Sequence, residues 1–191
     1  RGLRVYAIAG SPTEPESLIE IDLGTGKSQT IRRSSPIKPD TGYTSVPEAV
    51  EFPTEGGKTA HAFYYPPTNA DFRGPEGEVP PLLVLIHGGP TSATAAQFRF
   101  TTQYWTSRGF AVCDVNYGGS TGYGREYRNR LRDAWGVVDV SDAVNAARYL
   151  AEKGKADPAK LIIRGGSAGG YTTLACLTFS DVFRCGASHY G

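Results

Sequence analysis

The sequence predicts an α/β fold: a mostly parallel sheet with helices on both faces, preceded by a few antiparallel strands. Three observations carry that expectation. From residue 81 onward, short apolar runs alternate with a stretch of helical period. The runs are apolar on consecutive residues, as strands buried on both faces require. The glycine clusters fall just after those runs, beyond the carboxyl ends of the strands, where sheets of this kind place their chemistry.

The elements follow in chain order. Residues 3–8 (LRVYAI), 17–23 (SLIEIDL) and 29–32 read as three short antiparallel strands, separated by the turn-rich "AGSPTEPE" and "GTGK". Three strands bury no core alone, so residues 1–35 are expected to belong to a larger all-β unit. The polar, proline-bearing residues 36–44 then read as a linker. "SVPEAVEF" and "KTAHAFYY" are two further strands turning at Gly56 and Gly57. "PPTNADFRGPEGEVPP" is a surface loop, too rich in proline and glycine to pack.

"PLLVLIH" is the first buried strand, residues 94–108 a helix, and "GFAVCDVNY" (109–117) the second buried strand. Val140, Ala143, Val144, Ala147, Leu150 and Ala151 recur at helical spacing and give one apolar stripe. "KLIIR" is a third buried strand, "AGGYTTLACLTF" a helix and "FRCGASHY" a fourth strand.

Composition narrows the function. Twenty basic residues against 19 acidic ones leave a net charge of +1 without a basic stripe, which argues against nucleic acid as a partner. No apolar run reaches the length of a membrane span, and "RGLRVYAIAG" lacks the regions of a signal peptide, so no membrane partner and a cytoplasmic location are expected. Cys113, Cys176 and Cys185 lie in apolar segments without metal spacing and read as buried, reduced thiols; buried thiols are inert, which disfavours any of them as a nucleophile. No metal or cofactor is expected. The chain has no methionine and opens on Arg1, which reads as a fragment.

The sharpest motif is Gly165-Gly166-Ser167-Ala168-Gly169, the G-x-S-x-G elbow set between a strand and a helix. Small residues two before and two after the serine let strand and helix approach, and the turn lifts one hydroxyl above the sheet at a helix N-terminus. A phosphate loop is excluded because Tyr171 stands where its Lys-Ser pair would begin, and the dinucleotide fingerprint fails at Ser167 and Ala168. "HGGP" (87–90) follows the first buried strand, where such folds draw one backbone N–H for the oxyanion hole; the residue after the nucleophile supplies the other. Gly89, with Gly88 as alternative, and Ala168 are the candidates. "NYGGSTGYGREYR" (116–128) reads as a loop, either flexible or an ordered wall of the site with Tyr117, Tyr123 and Tyr127 as candidates, and Tyr171 is a further candidate beyond the elbow. Arg125 and Arg128 either anchor a substrate carboxylate or pair with acidic neighbours.

Together "HGGP", "NYGGSTGYGREYR", "WGVVDVSDAVNAARYL" and "GGSAGGY" resemble the catalytic domain of the prolyl oligopeptidase family, nearest to acylaminoacyl peptidases and related aminopeptidases, over residues 45–191. The resemblance implies an α/β-hydrolase fold, incomplete at its C-terminus, and "LIEIDLGTGK" resembles the last strands of the β-propeller that caps such enzymes. It also implies a serine peptidase acting on short peptides through an acyl-enzyme, with Ser167 as nucleophile and Gly89 and Ala168 as oxyanion donors. An esterase or amidase of the same fold, and a non-catalytic hydrolase-like module, stay open beside it. The usual family form carries an arginine where Gly118 stands, so the role of that arginine is not carried over.

The family order places an acid and then a histidine after the serine, on loops beyond further strands. No residue between Ser167 and Gly191 fits that pattern, so acid and base are expected on sequence outside this chain. His61 reads as structural, His87 as a support of its own loop, and His189 with Asp181 as a poor substitute pair. The expected partners are a peptide or small acyl substrate and the remainder of the same protein, with a homo-oligomer left open. Strand 184–190, as the last of the sheet, would be a bare apolar edge and a solubility hazard.

Overall fold

A computed structural model describes residues 2–191. Strands β1 (Arg4–Ala9), β2 (Ser17–Asp22) and β3 (Ser28–Arg33) form an antiparallel meander in the order β1-β2-β3. Its one tight polar cluster is built on Glu20, which accepts from Arg4 (3.0 Å), Tyr6 (2.7 Å) and Gln29 (2.9 Å). The sheet has little apolar burial of its own, and Leu3, Ile8 and Ile31 stay exposed.

The second sheet holds six strands: β4 (Glu48–Thr54), β5 (Lys58–Tyr65), β6 (Leu82–Ile86), β7 (Ala111–Asn116), β8 (Leu161–Gly166) and β9 (Cys185–His189). Their order is β4-β5-β7-β6-β8-β9. The β7, β6, β8 and β9 strands run parallel, whereas β4 and β5 join antiparallel at one side. The parallel part was expected from the consecutive apolar runs, and every residue of β7 is buried.

Helices lie on both faces. Leu82, Val84, Cys113, Val115, Leu161 and Ile163 point to one side, where they meet the apolar stripe of α3 (Val138–Glu152), with Ala143, Ala147 and Leu150 buried. Helix α4 (Ala168–Phe179) lies beside α3 on that face, with Cys176 in the shared core. The opposite face holds Tyr65, Leu83 and Val112 against Trp105 of α1 (Phe100–Thr106). No helix among the described residues is long and apolar enough to cross a membrane.

Three expectations need correction. Residues 94–108 are not one helix: α1 spans only Phe100–Thr106. The Thr94 backbone is held instead by the side chain of Asn116 on β7, whose Oδ1 accepts from Thr94 N–H (2.8 Å) and whose Nδ2 donates to Thr94 O (3.0 Å). Backbone groups committed to a side chain cannot join a helical ladder. Second, Gly124–Asn129 form a short helix, α2, inside the segment read as a loop. Third, Cys185 is exposed, because it opens β9 at the outer side of the described sheet, while Cys113 and Cys176 are buried as expected.

Two carboxylates at the start of α3 tie loops to helices. Asp142 accepts from Gly118 N–H (2.7 Å) and from the Thr54 hydroxyl. Asp139 accepts from Gly136 N–H (2.6 Å) and from the Thr172 hydroxyl of α4 (2.5 Å). Both are buried. Burial pushes the Asp142 carboxyl above its ordinary range, against the donors that favour its charge. Asp142→Ala strands the buried Gly118 N–H, and a loss of about 2–3 kcal/mol is expected, read as a fall in the thermal midpoint of the intact protein. An unchanged midpoint would show that water satisfies that amide.

Candidate active site

The strand β8 ends at Gly166, and α4 begins at Ala168, so Ser167 alone makes the turn. Its backbone sits at φ 54°, ψ −125°, a region that side-chain-bearing residues rarely adopt. Three backbone hydrogen bonds hold it there. Ser167 N–H donates to His189 O (3.0 Å), and Ser167 O accepts from Gly170 N–H (2.8 Å) and Tyr171 N–H (3.1 Å). Such a conformation stores about 1–3 kcal/mol and persists only where the surroundings over-determine it. The residue is exposed while Ala168, Gly169 and Gly170 behind it are buried.

The flanking glycines are required by close approach. A Cβ on Gly165 would stand 2.1 Å from Gly169 O, and one on Gly169 would stand 2.2 Å from Ile86 O. Strand β8, helix α4 and the end of β6 thus meet backbone to backbone, and the elbow follows from that packing.

The loop after β6 reaches the same spot. A Cβ placed on Gly88 would lie 3.3 Å from Ser167 Cβ and 3.2 Å from Gly166 O, so this loop runs alongside the serine. Among the described residues, neither Gly89 N–H nor Ala168 N–H donates to any acceptor. One exposed hydroxyl thus stands at the N-terminal end of a 12-residue helix, next to the free N–H of Ala168 and with the Gly88 loop alongside.

The tyrosines divide. Tyr117 is fully buried: its ring stacks on His87 (centroids 4.4 Å apart) and its hydroxyl donates to Pro90 O (2.7 Å). It supports the Gly89 loop from below and cannot line a substrate pocket in this arrangement. Tyr123 is half-buried, stacked on His61 (4.3 Å) and accepting from Asn116 Nδ2 (3.1 Å), and Tyr127 is buried with its hydroxyl donating to Asn116 O (2.6 Å), so both belong to the scaffold. Tyr171 is 43% exposed and packs against Trp135 (4.9 Å), leaving it the one candidate wall open to a ligand. Arg125 and Arg128 are exposed on α2, and neither forms an ion pair among the described residues.

No histidine is placed as a base. His61 stacks between Tyr123 and Tyr127, and its burial lowers its pKa. His87 has both ring nitrogens occupied, Nδ1 by Gly88 O (2.8 Å) and Nε2 by Ser120 Oγ (2.7 Å). Burial holds its pKa below the ordinary value, so the ring is neutral near pH 7. His189 Nε2 accepts from Arg164 Nε (3.2 Å), and Asp181 is exposed beyond α4. No triad is therefore assembled among the described residues: Ser167 stands exposed at the elbow, and His61, His87 and His189 are engaged elsewhere. No cluster of metal-ligating side chains occurs among the described residues.

What sequence reasoning missed are the anchors. Asp139, Asp142, Asn116 and Ser120 are buried; the first three hold loop backbones and Ser120 holds the His87 ring, yet each sits in a run whose pattern marks only strand, helix or loop. Their partners lie 22 to 33 residues away in the cases of Thr94, Thr172 and His87, beyond the reach of local pattern.

A mostly parallel sheet, helices on both faces and a serine at a strained strand–helix turn define an α/β-hydrolase. Residues 96–191 match the prolyl oligopeptidase family, and the chain belongs to that family. It is 34% identical to dipeptidyl aminopeptidase BIII of Pseudoxanthomonas mexicana over 154 residues, which cover 78% of this chain and 22% of that protein. Among solved structures, a puromycin-hydrolyzing peptidase of Mycobacterium tuberculosis superposes with a TM-score of 0.94 at 50% identity, covering 96% of this chain and 28% of the other. The acylaminoacyl peptidase of Pyrococcus horikoshii superposes at 0.79 with 27% identity, over 97% of this chain and 29% of its own. The chain thus spans between a fifth and a third of the length of these relatives.

Proposed function

We propose that this chain carries the nucleophile and oxyanion cradle of a serine peptidase that hydrolyses short peptides, of the aminopeptidase or acylaminoacyl type. The observation that carries the reading is the exposed Ser167 hydroxyl at φ 54°, with the unpartnered N–H groups of Gly89 and Ala168 beside it. In the first step Ser167 Oγ gives its proton to a base and bonds to the scissile carbonyl carbon, and the carbonyl electrons move to the oxygen, where the two N–H groups hold the charge. Collapse expels the amine, which takes a proton, and leaves an acyl-serine; water then repeats the sequence and releases the acid. The proton carrier is not among the three histidines described above, and we assign acid and base to sequence outside these residues. Residues 45–191 are then the N-terminal part of the catalytic domain, residues 36–44 a linker and residues 1–35 the terminal strands of a propeller. The buried free thiols of Cys113 and Cys176 fit a reducing, cytoplasmic setting.

The two neighbours named for puromycin hydrolysis, at 50% and 47% identity, give a second reading a footing: the same cradle serving small acyl compounds. Both readings share the first test. Intact-mass analysis of the natural full-length protein after fluorophosphonate treatment should show one adduct, absent from Ser167→Ala. A folded wild-type protein that takes no adduct, or a mutant that still takes it, would overturn the assignment of Ser167.

A further inference from the structure

We infer that Asp139 and Thr172 form a tether between α3 and the start of α4 that keeps Ser167 in its strained turn, making both of them positioning residues for the nucleophile. The inference rests on the serine reading above, and its test separates the two.

A residue at φ 54° holds only where its surroundings leave it no alternative. Ser167 has three backbone bonds, and two of them, from Gly170 and Tyr171 N–H, come from the start of α4 itself. Those two fix the turn to the helix but do not fix the helix. The third bond, to His189 O, holds the side facing β9, and Ser188 Oγ of the same strand donates to Gly170 O (3.1 Å). On the other side the start of α4 faces α3. There the side-chain bond that crosses between them runs from Thr172 Oγ1 to Asp139 Oδ2 (2.5 Å).

Thr172 and Asp139 are both fully buried. Thr172 Oγ1 also lies 3.0 Å from Ala168 O, but a hydroxyl has one proton, and the shorter bond to a carboxylate takes it. The other carboxylate oxygen, Oδ1, accepts from Gly136 N–H (2.6 Å), in the turn that sets Trp135 against the Tyr171 ring. Each oxygen of Asp139 thus serves a different element, the turn before α3 and the start of α4. The carboxylate cannot swing without releasing one of them. Its charge works the other way. Burial, and after it the charge of Asp139, raises the Tyr117 hydroxyl and the Cys176 thiol, so that charge is felt beneath the Gly89 loop, where it opposes a developing oxyanion. What Asp139 gives the site is therefore its bond and not its field.

Two substitutions at Thr172 separate tether from packing. Thr172→Val keeps the volume and the branched Cβ and loses the hydroxyl; Thr172→Ser keeps the hydroxyl and loses a methyl group. The measurement is the rate of fluorophosphonate adduct formation at Ser167 in the intact natural protein, well below its melting midpoint, beside kcat and KM for p-nitrophenyl acetate. Thr172→Val should slow adduct formation and lower kcat by about 10- to 10²-fold, the scale of a small misplacement of a reacting group, with KM changed less than about threefold. Thr172→Ser should stay within about threefold of wild type in both rates. So should Asp139→Asn, whose Nδ2 can donate to Thr172 Oγ1 while that hydroxyl turns to Ala168 O, which keeps the tether and removes the charge. A packing role would reverse the order of valine and serine, and a role for the charge would carry Asp139→Asn outside that range. Either result, or valine equal to wild type, would overturn the inference while Ser167→Ala still takes no adduct. A folded wild-type protein that takes no adduct would instead overturn the serine reading. Should Thr172→Val fail to fold, the double variant Asp139→Asn/Thr172→Val, which strands no charge, decides: adduct formation at the wild-type rate there would overturn the tether.

Discussion

Replacing Ser167 by alanine is expected to lower kcat of the intact protein by roughly 10⁴- to 10⁶-fold while leaving its thermal midpoint within a few degrees of wild type. The two halves of that expectation have separate grounds. The catalytic loss follows because the hydroxyl is the only nucleophilic group that the elbow presents; Cys113 and Cys176 are buried, and burial pushes the Cys176 thiol up to about 12. The structural neutrality follows because the residue is held by backbone alone. Its N–H donates to His189 O and its carbonyl accepts from Gly170 and Tyr171, and alanine keeps all three bonds. The φ of 54° strains alanine no less than serine. Steady-state kinetics and a melting curve on the same preparation check both halves. A loss of less than tenfold would remove Ser167 from the mechanism, and a collapse of the midpoint would show that the hydroxyl has a structural partner.

The second large effect falls on the glycines. Gly169→Ala is expected to destabilise the catalytic domain by more than about 3 kcal/mol and to yield little soluble protein. The added Cβ would sit 2.2 Å from Ile86 O and 2.9 Å from His87 O, both backbone atoms at the end of the central strand β6. Neither can move without shearing the sheet beneath the serine. Gly165→Ala meets the same obstacle at 2.1 Å from Gly169 O. Neither glycine has positive φ, so the damage is crowding and not backbone strain. Gly77→Ala is the control: Gly77 has φ 81° but open space around it, and should lose only about 1–2 kcal/mol. Soluble yield and melting temperature for the three variants rank the effects. A Gly169→Ala protein that melts within a few degrees of wild type would mean that β6 and α4 are less tightly apposed than described.

The sheet and the elbow were legible in the sequence because both rest on local rules. Consecutive apolar residues in "LLVLI" and "LIIR" mark strands covered on both faces, and glycines two before and two after Ser167 mark the close approach later seen at 2.1 and 2.2 Å. The three-stranded meander was legible for the same reason, from its turn residues. Where reading failed, a distant partner had overridden the local pattern. Residues 94–98 have the composition of a helix start, yet Asn116 claims the Thr94 backbone. Tyr117 and Tyr123 sit among glycines in a loop, which invited a role at the surface. His87, just beyond β6, and His61, in the middle of β5, stack on them and take them inward. Asp139 and Asp142 fall on the first turns of an amphipathic helix, where acidic residues are commonplace, and nothing local reveals that their oxygens are bound to Gly136 and Gly118.

Those buried anchors have a consequence for anyone who would redesign this site. The backbone at the carboxyl edge of the sheet is moored by side chains: Gly88 by the His87 ring, which Ser120 holds in turn, and Gly118 and Gly136 by Asp142 and Asp139 of α3. A loop transplanted from another enzyme would arrive without its mooring and would leave a buried carboxylate or imidazole facing nothing. Exchange is therefore expected to succeed in blocks, with residues 117–121 travelling together with His87 and Asp142, and to fail residue by residue. The unit of inheritance at this rim is the loop plus its remote tether.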